Sequence, residues 1–163
     1  MVKIMRIVNI DENFRDSLIE TLDKGDITGK KRPYYLNLTI YGYSVLVPLR
    51  KNCPESPYKV PILNRYSSNH GLDCSKMIII DRNEFSKKTS PSNIERYITN
   101  DIFSKKEIIK TTVVKTINDF LIMKDKMTKG LDLNENERFL SQRTTLVNFE
   151  KELKDIIEKK TSK

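Results

Sequence analysis

The stretch from Arg32 to Asn52, RPYYLNLTIYGYSVLVPLRKN, leaves the chain few options. Leu36, Leu38 and Ile40 alternate with Tyr35, Asn37 and Thr39, and Tyr43, Val45, Val47 and Leu49 then alternate with smaller or more tolerant positions. A period of two is the signature of paired strands, and Tyr41-Gly42 supplies the tight turn between them. The spacing therefore predicts a β-hairpin with a buried face. Folding back brings Lys30, Lys31 and Arg32, before the first strand, close to Arg50 and Lys51 after the second. One end of the hairpin is strongly positive.

The chain has 163 residues, of which 37% are hydrophobic, enough for one modest core but not for two. A single domain over 1–163 is expected, sheet-rich to about residue 90 and helical from 91 to 160. The formal charge is +8, and six of those eight net charges arise between Lys24 and Tyr66, where only Asp26 and Glu55 oppose the basic residues. A lysine-rich solvated surface is the bland account of such a chain. Concentration around one hairpin argues instead for a face that meets a polyanion. Cys53 and Cys74 have no C-x-x-C spacing and no secretory signal opens the chain, so neither a disulfide framework nor a zinc site is expected, and a cytoplasmic location is. No apolar run approaches the ~18 residues of a membrane span, and the lone His70 excludes a histidine pair.

Along the chain, Val2–Ile10 reads as a first strand. Asp11 caps a short helix, DENFRDSLIETL, with Phe14, Leu18, Ile19 and Leu22 at helical spacing, and Gly25–Gly29 ends it. After the hairpin, residues 51–73 are rich in Pro, Ser and Asn and are expected to be a basic loop with at most a brief strand around Lys59–Leu63. CSKMIIID, Cys74–Asp81, reads as an interior strand with Ser75 and Lys76 at its entrance. From Ser92 the period becomes helical: Ser92–Asn100, a longer helix near Lys105–Met127 stopped by Gly130, and a last helix after Asn136 that turns Leu146, Phe149, Leu153, Ile156 and Ile157 inward. Sheet followed by helices is the order of an α+β domain.

The strings PYYLNLTIYGYSVLVPLR and HGLDCSKMIIID resemble the ToxN/AbiQ/TenpN endoribonuclease toxins of type III toxin–antitoxin systems, most of all the TenpN-type branch. The resemblance implies a twisted antiparallel sheet like the barrel core of the MazF/Kid toxins, decorated by helices. It further implies metal-independent cleavage of RNA and no cofactor. The implied partners are substrate RNA and a small repeat-derived, pseudoknot-like antitoxin RNA that neutralises the toxin within ring assemblies. Phage defence by abortive infection, or plasmid maintenance, would be the role. One departure is plain: in ToxN the Pro-Leu after the second strand leads into Thr-Ser-x-Lys, and here it leads into Arg50-Lys51-Asn52-Cys53. A site copied from ToxN would be wrong for this chain.

RNA supplies its own nucleophile, the 2′-hydroxyl, so a ribonuclease need only align the phosphate, place cations on its oxygens and move protons at each end. Arg50 and Lys51 are the first candidates for the phosphate, the arginine because its fork spans two oxygens. The competing account is a strand end kept soluble by charge. Ser75 and Lys76 enter the next strand near the same phosphate, unless Lys76 merely points outward from an alternating strand. His70 is the candidate general acid or base, or simply a loop residue. Lys30, Lys31, Arg32, Asn52, Lys59 and Arg65 are candidates for holding RNA, with Tyr34, Tyr35 and Tyr43 as possible stacking surfaces.

Two other readings stay open. One is a non-catalytic RNA-binding module with the same basic face; the other is a helical interaction protein whose charge is incidental. Loss of cleavage with retained RNA binding in Arg50→Ala or Lys76→Ala separates the first reading from the second, and salt-insensitive association with a protein would mark the third.

Overall fold

A computed structural model describes residues 6–19 and 32–162. The expected starts of the first strand, the end of the first helix, Lys30 and Lys31 lie outside the described residues. The hairpin is formed by β2 (Tyr34–Ile40) and β3 (Tyr43–Arg50), added to β1 (Ile7–Ile10) and α1 (Glu12–Ile19). At its turn Tyr41 and Gly42 have φ of 46° and 86°. Left-handed backbone at both central positions is what matches a two-residue turn to the twist of the strands. Asp11 caps α1 as expected, its Oδ2 accepting from the Phe14 amide at 3.2 Å.

Next come β4 (Lys59–Pro61), β5 (Gly71–Asp73), β6 (Ile78–Asp81), a one-turn helix α2 (Phe85–Lys88) and β7 (Thr89–Pro91). All pairings are antiparallel, in the order β4-β5-β3-β2-β1-β7, with β6 also joined to β3. Among the described residues no ladder joins β4 to β7, so the sheet is open and the barrel is not closed. Strand β3 carries β2 on one edge and both β6 and β5 on the other. Being central, it buries every residue from Ser44 to Leu49, where a half-buried hairpin would expose every second one. In β2 the alternation slips at a bulge between Leu36 and Leu38, which leaves Asn37 unpaired in the ladder.

Two segments depart from the sequence reading. Cys74–Asp81 is not one strand: Asp73 caps a 3-10 turn at Cys74–Lys76, and the strand begins only at Ile78. Gly71–Asp73, expected as loop, is a fully buried strand. The C-terminal part holds α3 (Arg96–Ser104), α4 (Lys106–Thr128), α5 (Glu135–Arg143) and α6 (Glu150–Thr161). The last two were expected as one helix. Thr144 breaks it, its hydroxyl accepting from the Leu146 amide at 3.1 Å, and Thr145 donates to the Met77 carbonyl at 2.5 Å. The break therefore locks the helical half onto the turn ahead of β6. Leu146, Phe149, Leu153 and Ile156 are buried as expected, but Ile157 is exposed.

One hydrophobic cluster runs from Val8 through β2 to β6 to Ile109, Val113 and Phe120 of α4 and on to Leu153. Helix α6 crosses the turn end of the hairpin, where the Tyr43 hydroxyl donates to Asp155 Oδ2 at 2.7 Å. That bond and burial hold the Tyr43 phenol up at about 12. No helix among the described residues is long and apolar enough to cross a membrane.

Candidate functional site

The register of three strands assembles the basic end. Arg50 lies opposite Gly71, and Asp73, two residues on, lies opposite Lys59. Residues paired across a ladder share a face, as do residues two apart, so Arg50, Gly71, Asp73 and Lys59 project to one side. Arg50 Nη1 donates to Asp73 Oδ2 at 2.7 Å. The other carboxylate oxygen accepts from the Ser75 amide at 3.1 Å and the Ser75 hydroxyl at 2.5 Å. Asp73 is thus the hub. Its 4% side-chain exposure, against 14% for Arg50, makes this a largely desolvated ion pair rather than a surface one. The Arg50 Nε–H is buried with no hydrogen-bond partner.

Gly71 is required for this packing. A Cβ there would lie 2.9 Å from the Val60 carbonyl oxygen and 3.0 Å from Lys59 Cε, so the lysine stem occupies the space a side chain would need. Lys59 runs buried across the glycine to an ion pair with Glu55, which is itself exposed. Gly71→Ala is expected to cost about 1–3 kcal/mol, because backbone and a buried stem must both move. Urea unfolding measures it; a midpoint equal to wild type would show that the fit has slack.

The other predicted residues fall into distinct settings. Lys51 and Asn52 are exposed just past β3. Ser75 is buried and Lys76 is buried in the 3-10 turn, its ammonium donating to the Arg143 carbonyl, so it does not point outward from a strand. Arg32 is half-buried, and Tyr34 and Tyr35 are both buried. The Tyr34 phenol is pushed up to about 12 by burial, against the pull of Arg32, Arg50 and Arg15. Tyr43 stands at the turn end, roughly 24 Å along the strand from Arg50. Arg65 lies over the Tyr97 ring, 4.5 Å from its centre. The Cys53 thiol, near Asp73, is raised to about 12 by burial and stays protonated.

His70 is not a surface loop residue. It is buried, with Nδ1 3.1 Å from the Ile62 carbonyl oxygen, and its amide-side carbonyl accepts from Ile62 N at 3.1 Å. Burial lowers its pKa, and nearby Lys51 and Lys59 lower it further. A histidine with a folded pKa below its unfolded value of about 6.5 takes up its proton more readily when unfolded. Stability should therefore fall as pH drops through the unfolded pKa towards the folded one, and should not change from this source above it. In unfolding titrations from pH 7.5 to 5, the His70→Asn variant should lose less stability than wild type over the same steps; equal losses would show that His70 contributes none of the slope.

The sequence reading missed Asp73 and Glu55. Asp73-Cys74-Ser75 carried a usable signal, since an Asp whose side chain accepts from the amide two residues on caps a turn. It also singled out nothing in two adjoining hollows of about 550 and 500 Å³ that share Arg6, Phe85 and Ser86. Neither hollow is lined by Arg50, Lys51, Asp73, Ser75 or Lys76.

An open antiparallel sheet with its helices gathered in the C-terminal half, and a basic rim where β3 meets β5, defines the class of fold. Solved structures that share the sheet-and-helix fold include the following two. One comes from a study of bacterial type III toxin–antitoxin systems and selective toxin inhibition by a non-coding RNA pseudoknot; it aligns with a TM-score of 0.62 and 15% identity over 96% of this chain and 99% of its own. The other comes from a bacterial antiviral system regulated by a processed non-coding RNA, with a TM-score of 0.51 and 16% identity over 92% of this chain and 98% of its own. The first of these comes from a study of the class of system that the sequence resemblance names. No protein-family model and no curated protein matches the chain.

Proposed function

We propose that this chain is the endoribonuclease toxin of a type III toxin–antitoxin system, restrained by a small structured RNA and acting in phage defence or plasmid maintenance in the cytoplasm. The observation that carries the reading is the Arg50–Asp73–Ser75 network set beside the exposed Lys51, on a fold shared end to end with a structure from such a system. An arginine held by one terminal nitrogen keeps further N–H groups, and its fork is preorganised before RNA arrives. In the reaction the 2′-oxygen bonds to phosphorus as its proton leaves, the P–O5′ bond breaks, and the departing 5′-oxygen gains a proton. The products are a 2′,3′-cyclic phosphate and a 5′-hydroxyl. Arg50 and Lys51 meet the charge that grows on the phosphate oxygens. Asp73 positions Arg50; His70 and Lys76 position the segments on either side, through the Ile62 and Arg143 carbonyls. Substrate RNA and the antitoxin RNA then compete for one basic rim, and a closed ring of toxin and RNA is the assembly this reading carries.

One observation favours the binding-module alternative. Ser75 is committed to Asp73 and His70 is buried, so neither of these two candidates is presented at the rim to carry a proton. Induced expression in a bacterial host tests the choice. Growth arrest with new 5′-hydroxyl ends in cellular RNA is expected from wild type and not from Lys51→Ala, whereas soluble wild-type protein that leaves growth and RNA intact would contradict the toxin reading.

A further inference from the structure

Tyr66 is the most exposed large hydrophobic side chain described, at 85%, and it stands on a turn that is anything but loose. The Tyr66 amide donates to Asn64 Oδ1 at 2.8 Å, and the Ser67 amide reaches the Asn64 carbonyl at 3.4 Å, closing a turn with Arg65 and Tyr66 at its centre. That turn is fastened on two sides. Towards the candidate site, the Ser67 hydroxyl donates to the Lys51 carbonyl at 2.7 Å and the Cys53 amide donates to the Asn69 carbonyl at 2.9 Å. Towards α3, the Arg65 amide donates to the Tyr97 hydroxyl at 3.0 Å, and the Leu63 amide donates to Asp101 Oδ2 at 2.9 Å. A tyrosine ring is thus displayed to solvent one residue from the serine that grips the backbone of Lys51.

From Ile62 to His70 the chain has no acidic residue of its own, Arg65 lies within the turn, and Lys51 is joined to it through Ser67. Neither of the two hollows described above is lined by residues of this turn. An unpaired base offers a flat π-face to stack and brings a phosphate for the lysine alongside. Holding the backbone beneath the ring in advance also lowers the entropic cost of stacking, since only two side-chain torsions remain to be ordered. Resting on the ribonuclease reading above, we infer that Tyr66 is the stacking shelf for the nucleobase next to the phosphate held by Lys51, and so a source of affinity for single-stranded RNA of any sequence. The shelf lies outside the sheet, so it holds RNA without taking part in the bond changes.

The test uses the full chain and a short mixed-sequence single-stranded RNA with 2′-fluoro sugars, which lacks the nucleophile and cannot be cleaved, followed by fluorescence anisotropy at several salt concentrations. Tyr66→Ala and Tyr66→Leu are expected to weaken binding about tenfold with the salt dependence unchanged, and Tyr66→Phe to bind as wild type. Lys51→Ala should weaken binding and lower the salt slope by about 0.7, the share of one phosphate contact on a single strand. The ring's exposure means that all three tyrosine variants should melt with wild type. If Tyr66→Ala binds as wild type while Lys51→Ala is weakened, the shelf is wrong and the RNA-binding reading stands. Rescue by leucine as well as phenylalanine would replace stacking with plain apolar contact and overturn the inference. Wild-type protein that binds no RNA at any salt overturns both readings together.

Discussion

Replacing Asp73 by alanine is expected to destabilise the protein by about 3–5 kcal/mol and to abolish RNA cleavage. The carboxylate accepts from Arg50 on one oxygen and from the Ser75 amide and hydroxyl on the other. Its removal strands a guanidinium that is only 14% exposed and uncaps the 3-10 turn. The cost comes from the charge left behind more than from the attraction lost, and that makes the effect separable. In the pair Arg50→Met with Asp73→Leu neither partner leaves an uncompensated buried charge, and most of the stability should return, short of about 1 kcal/mol for the lost cap. Cleavage should not return. Urea unfolding of the two variants beside a cleavage assay checks both halves; an Asp73→Ala protein as stable as wild type would show that the ion pair is not structural.

Lys51→Ala should give the opposite pairing of effects. The residue is exposed, so stability should stay within about 0.5 kcal/mol of wild type. Cleavage should fall by about 10²–10³, the range for loss of one group that stabilises transition-state charge. Retained cleavage at the wild-type rate would leave Lys51 as surface charge alone.

The hairpin was legible because its cause is local: alternating residues, a turn with glycine at its second central position, and cations at the open end. Its centrality was not. Nothing in YSVLVPLR says that a strand from residue 71 and another from residue 78 will share its free edge, since register belongs to the pairing rather than to either strand. That gap hid the site as well. Arg50 and Lys51 stood out by charge, but the partner that fixes Arg50 sits in Gly-Leu-Asp, a string whose composition reads as loop until the ladder buries it. The burial of His70 was hidden for the same reason: a polar residue between asparagine and glycine looks exposed, and only the fold brings the Ile62 carbonyl to its ring. The split of the last helix turns on Thr145 reaching across to Met77, a contact between residues far apart in sequence.

The most direct measurement is to incubate purified protein with single-stranded RNA in EDTA and to map the fragment ends. The expected result is fragments with 2′,3′-cyclic phosphate and 5′-hydroxyl ends from wild type, formed about 10²–10³-fold more slowly by the stable Lys51→Ala protein. Folded wild-type protein that binds the RNA and leaves it whole would contradict the ribonuclease reading and make this rim a binding surface only.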